Sequence, residues 1–83
     1  MLLFDSHCHL DVDAFDGVEG VDAAVSRARE AGVARMLAIG SGYGFESASR
    51  ALSVAKRHED VWASVGIHPH DAELWTEELW AEL

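Results

Sequence analysis

The sequence of 83 residues predicts an α/β fold. It reads as the opening strand–helix–strand–helix–strand portion, with the start of a third helix, of a TIM-type (β/α)8 barrel. Three observations carry this. Apolar strand-like runs alternate with helical stripes, the order of βαβ units and a parallel sheet. Each strand has one aliphatic side and a second side that turns small or polar toward its C-terminal end, as a barrel wall does. An open doubly wound sheet is normally apolar on both faces. Finally, histidines fall at the ends of the first and third strands, and in a barrel both ends open onto the same mouth.

The first strand is expected over 2–9, with Leu2 and Phe4 opposing Asp5, His7 and His9. Val21, Ala24, Val25, Ala28 and Ala31 then fall at helical spacing, and Gly32 is a stop signal. The second strand is "ARMLAIG" (34–40), with Leu37 and Ile39 as its aliphatic, helix-covered side against Met36, Ala38 and Gly40. "GSGYG" (40–44) is a loop without the spacing of a phosphate-binding fingerprint. Phe45, Ala48, Leu52 and Ala55 make the stripe of a second helix. In the third strand, "VWASVGIH" (61–68), Val61, Ala63, Val65 and Ile67 oppose Trp62, Ser64, Gly66 and His68.

A third helix is expected after "HPHDAE", with Trp75, Leu79 and Leu83 as its stripe and Trp80 beside it. Glu73, Glu77 and Glu78 sit near its start, where a helix favours negative charge. The tryptophans read as packing residues. The sequence stops at Leu83, on the stripe, with no glycine, basic last turn or breaker. A βα barrel takes about 250 residues. The expectation is therefore one partial barrel domain, 1–83, truncated inside the third helix.

Composition narrows the function. Hydrophobic residues make up 49% of the chain, which suits a globular domain rather than a disordered one. A net charge of −9 excludes a broad basic surface for nucleic acid, so any phosphate partner needs bound cations, or residues absent from this chain, to offset it. With one cysteine, Cys8, no intrachain disulfide forms. The N-terminus lacks the basic and apolar regions of a signal peptide, and no apolar run approaches the roughly 18 residues of a membrane span. A cytoplasmic protein is expected.

The residues with chemistry cluster in two motifs. His7 and His9, in "FDSHCHLD", lie two apart on a strand and so share a face. Two imidazoles on one face can hold one divalent ion. Asp5 is on the same side, placed to orient a ligand. Alone, such a pair is also compatible with two ordinary polar histidines. "GIHPH" adds His68, with Pro69 pinning the turn, and His70 as a weaker candidate. Cys8 points away from the pair and reads as a buried structural thiol. Asp11 and Asp13 follow the motif and could support a ligand, but acidic loop residues are usually just solvated. His58 reads as a surface residue compensating a helix end.

"DSHCHLD" near the start, "AIGSG" after the second strand and "VGIHPH" at the third together resemble the TatD family, metal-dependent hydrolases of the amidohydrolase superfamily best known as DNases. The resemblance implies a TIM-type barrel with one or two divalent metals (Zn, Mn or Mg) at its mouth, and hydrolysis of phosphodiester bonds in DNA by a metal-activated water. It makes His7 and His9 metal ligands and places His68 near the substrate phosphate. The family's other ligands, a glutamate, two histidines and an aspartate, come from later strands. No catalytic residue is therefore expected among these 83, and the chain by itself is expected to be inactive. Two other readings compete with this one. A PHP-type phosphoesterase has a different run after its histidine pair, where this chain has Leu10 and Asp11. A small non-catalytic α/β binding module would need a capped last helix and no metal.

Overall fold

The computed structural model describes residues 2–10, 17–42 and 45–82. Its elements are β1 (Leu3–Cys8), α1 (Gly17–Glu30), β2 (Val33–Gly40), α2 (Phe45–Arg57) and β3 (Val61–Val65). A 3-10 turn over Pro69–Leu74 and a short α3 (Glu77–Ala81) follow. The strands form one parallel sheet in the order β1-β2-β3, so all three end at the same edge. α1 stops where Gly32 adopts φ 104°, a conformation that suits glycine because it has no Cβ.

One layer of core joins sheet and helices. Val21 and Val25 of α1, Met36 and Ala38 of β2, Val54 of α2 and Val61 of β3 are all buried in it. The α1 stripe matches expectation at Val21 and Val25. The buried side of α2 is Ser47, Ala48, Ala51 and Val54, while Leu52 and Ala55 are only half-buried. The helix is thus rotated from the expected stripe.

β2 faces the opposite way from the sequence reading. Met36, Ala38 and Gly40 are buried on the helix side, and Leu37 and Ile39 are half-buried. Close approach explains the inversion. A Cβ built on Gly40 would lie 2.8 Å from Ala48 Cα and 2.6 Å from the Ser64 carbonyl oxygen. Small residues are what let α2 lie against the end of this strand, and the aliphatic bulk goes to the open face.

Three further expectations are corrected. Leu2 and Phe4 are 80% and 58% exposed, so among the described residues no helix covers them. Trp62 and Trp80 are exposed as well, and Trp80 stacks on Trp75 with ring centroids 4.9 Å apart. The third helix starts later than expected. Trp75 is extended, and Thr76 caps α3 by accepting the Leu79 N–H at 3.2 Å, as a threonine N-cap does. Leu83 lies outside the described residues.

Ion pairs tie the amino edge of the sheet together. Arg29, in the last turn of α1, donates to both carboxylate oxygens of Asp60, just before β3, at 2.5 and 2.6 Å. It also lies 3.0 Å from His58 Nδ1. His58 Nε2 is 2.7 Å from Asp22, to which Arg57 also donates. A guanidinium only donates, so Nδ1 of His58 accepts and Nε2–H donates. With 12% of its side chain exposed, His58 is the hub of a clasp between α1 and the end of α2, not the solvated residue expected from its charged neighbours. No helix among the described residues is long and apolar enough to cross a membrane.

Candidate metal centre

Because the strands run parallel, their carboxyl ends deliver residues to one edge: His7 from β1 and His9 just past it, Gly40 at the end of β2 with Ser41 and Gly42 after it, and His68 from the segment after β3. Neighbouring strands lie about 4.8 Å apart, and β2 stands between β1 and β3. The histidines that follow from the two outer strands therefore flank the end of β2.

β1 does not run regularly into this edge. Asp5 pairs with Met36 and Cys8 with Ala38, so three steps of β1 oppose two of β2. Such a bulge re-aims side chains, and bulges are frequent beside functional sites. The bulge is held from within: Asp5 Oδ1 accepts the His7 backbone N–H at 3.1 Å. Asp5 thus reaches the histidine pair through the main chain rather than through a ring. Cys8 turns the other way, packs against the core and directs its thiol to the Leu37 carbonyl at 3.4 Å. That fits the structural role expected of it, although the residue is half-buried rather than buried.

The rings of His7 and His9 meet edge to face, with centroids 5.2 Å apart and planes at 72°. Two imidazole nitrogens about 2.0–2.1 Å from one tetrahedral ion put their ring centroids on the order of 5 Å apart. The observed ring separation is of that order. No third ligand joins them: among the described residues, no three His, Cys, Asp or Glu side chains come together as a metal-holding group. The expected convergence of His68 on the same cluster is not formed.

His68 lies three residues past the end of β3, not within it. It caps the 3-10 turn, with its Nδ1 accepting the His70 N–H at 3.1 Å and its carbonyl accepting the Asp71 N–H at 2.8 Å. Pro69, whose fixed φ and missing N–H suit the first position of such a turn, leads into it. His70 is exposed, its ring 4.5 Å from that of His68. Gly42, at φ 100°, comes close to the His68 ring. The sequence reading missed this neighbour, because glycines in a "GSGYG" loop signal flexibility rather than proximity. Asp11 and Asp13 lie outside the described residues.

A parallel α/β sheet with paired histidines at its carboxyl edge has the architecture of a metal-dependent hydrolase scaffold. A family model described as TatD related DNase matches residues 4–83, and the chain belongs to the TatD family. It is 37% identical over 81 residues to the 3'-5' ssDNA/RNA exonuclease TatD of Cronobacter sakazakii, covering 98% of this chain and 29% of that protein. It is 46% identical over 63 residues to the protein of the same name from Erwinia tasmaniensis, covering 75% and 24%. It is 34% identical over 65 residues to the uncharacterized metal-dependent hydrolase YjjV of Escherichia coli, covering 78% and 24%. The chain thus spans less than a third of the length of these relatives. The family match favours the TatD reading over the PHP-type one.

Proposed function

We propose that this chain supplies the opening strands of a TIM-type barrel in a metal-dependent phosphodiesterase acting on DNA. In this reading His7 and His9 are ligands of a divalent ion (Zn, Mn or Mg), Asp5 fixes the segment that carries them, and His68 faces the substrate phosphate. The observation that carries the proposal is the His7–His9 ring pair, 5.2 Å apart at the carboxyl edge of a parallel sheet, in a chain of this family. The names of its relatives, exonucleases of single-stranded DNA and RNA, support the substrate class.

When bound, a divalent ion supplies Lewis acidity toward a phosphoryl oxygen and lowers the pKa of water. The protein's own part is positional. The β1 bulge aims both imidazoles to one side, and the Asp5 carboxylate holds the bulge. The small loop at Gly40 to Gly42 leaves room beside them. Positive charge at this edge is also what a chain with a net charge of −9 needs before it can hold a phosphate. Two imidazoles fall short of the three protein ligands of a catalytic zinc site, so these 83 residues alone are expected to leave DNA uncut.

Calorimetric titration with Zn²⁺, Mn²⁺ and Mg²⁺ tests the reading. Binding by the intact chain is expected to weaken at least about tenfold in His9→Ala, a loss already typical when groups that merely support a ligand are removed. Absence of any divalent affinity, or affinity undiminished in that variant, would sink the proposal.

A further inference from the structure

We propose that the tryptophan pair at α3, Trp75 with Trp80, is a docking surface for a basic segment of a partner protein, one that lays arginine or lysine side chains on the indole faces. This surface shares no residue with the histidines of the carboxyl edge.

The pair arises from the way α3 begins. Thr76 is the N-cap, so Trp75 is the residue before the cap and Trp80 the fourth residue of the helix. An apolar residue before the cap often packs against that fourth position and fixes the entry of the chain. Trp75 is extended and folds its ring onto Trp80, with centroids 4.9 Å apart and planes 38° from parallel. Such a staple uses only one face of each ring. Trp80 remains 43% exposed and Trp75 half-buried. Among the described residues the core takes in nothing beyond Ala63, and α3 has no substantial share in the packing of the sheet, α1 and α2.

Charge selects the occupant. Five acids lie between Asp71 and Glu82, and no Lys or Arg follows Arg57 in the chain. Glu73, Glu77, Glu78 and Glu82 are all exposed. Glu77 stands three residues from Trp80 on the helix surface, and Glu78 and Glu82 stand four apart, where like charges repel. The helix dipole accounts for Glu77 and Glu78 in the first turn. It does not account for Glu82 at the C-cap, the end that disfavours negative charge. A cation laid on this surface relieves both conflicts. Indole faces attract guanidinium and ammonium groups, more strongly than the other aromatic side chains do. Arginine stacks flat on such a face while its fork reaches a neighbouring carboxylate. Exposed tryptophans also stack on nucleic-acid bases, but that mode works with a basic groove along the phosphates, and the charges beside this pair are acidic.

Chemical-shift mapping of the intact chain at low salt tests this, with a peptide of alternating arginine and glycine as the probe. Spectra of Trp62→Phe, Trp75→Phe and Trp80→Phe assign the three indole N–H signals. The Trp75 and Trp80 indoles and the amides of Thr76 to Glu82 are expected to move, with the Trp62 indole still. Affinity is expected to fall about threefold in Trp80→Ala, the scale of one exposed cation–π contact. A similar factor is expected in Glu77→Gln/Glu78→Gln, which keeps both tryptophans and so decides the matter should Trp80→Ala unravel α3. Glu19→Gln/Glu30→Gln, an equal change of charge on α1, should leave affinity nearly unaltered. No movement at Trp75 and Trp80 would overturn the proposal. Equal losses in the two glutamate pairs would overturn it too, since the whole acidic chain would then be the attractor. A thymidine oligonucleotide that moves the same indoles at lower concentration than the peptide would overturn it in favour of base stacking.

Discussion

The two edges of the sheet use histidine in opposite ways. At the amino edge, His58 lies between Arg29 and Asp22, with both ring nitrogens engaged by charged groups. At the carboxyl edge, His7 and His9 meet each other, and His68 engages one nitrogen with its own turn. The first arrangement joins α1 to the end of α2 and leaves the ring nothing further to bind. The second gathers imidazoles at the edge where the proposed cation and substrate would bind. Four of the five histidines are thus divided between holding the fold and lining its carboxyl edge.

The most damaging change is expected where the carboxyl edge meets the helix layer. Gly40→Ala forces a methyl into backbone atoms of β3 and α2, contacts that cannot give way as a side-chain tip would. A cost of about 3 kcal/mol is expected, at the upper end for overpacking, read as a lower urea midpoint. An unchanged midpoint would mean that α2 does not lie on β2 this closely.

At the amino edge the effects are smaller. Arg29→Ala removes two bonds to Asp60 and one contact with His58. Because Arg29 is 42% exposed, the loss is expected near 1 kcal/mol, with metal affinity unaltered. A fall in metal affinity would show that the two edges are coupled after all.

Acid acts on the same clasp. The Arg29 hydrogen bond holds the Asp60 carboxyl below its usual 3.8, and the His58 hydrogen bond does the same for Asp22. A carboxylate with a depressed folded-state pKa contributes stability that is complete above its unfolded value and lost as pH falls through the folded one. Stability should therefore decline below about pH 4, less steeply in Asp60→Asn than in the parent chain. Parallel acid curves for the two proteins would remove Asp60 from the account.

Much of this was legible in the chain. Element order followed from periodicity, and the pairing of His7 with His9 from their spacing of two. Residues that depend on long-range packing were not legible. Aliphatic Leu37 and Ile39 suggest a covered face, yet it is Met36, Ala38 and Gly40 that face the helices, and the close approach of α2 at Gly40 is revealed only by a folded contact. His58 sits among charges in sequence, but its partners Asp22 and Arg29 are 36 and 29 residues away. Strand periodicity extends β3 to His68, whereas the strand ends at Val65 and Pro69 opens a 3-10 turn in which the His68 ring serves as a cap. That Asp5 would act through the His7 main chain required a bulge, and period-two alternation assumes there is none.

The central claim is that the carboxyl edge, and not the charged clasp, receives the metal. Mapping Zn²⁺-induced changes in the backbone amide spectrum of the intact chain tests it most directly. The expected changes centre on His7 to His9 and extend to Gly40 through Gly42, with Asp22, Arg29, His58 and Asp60 undisturbed. Changes centred on His58 and Asp22, with His7 and His9 silent, would contradict it.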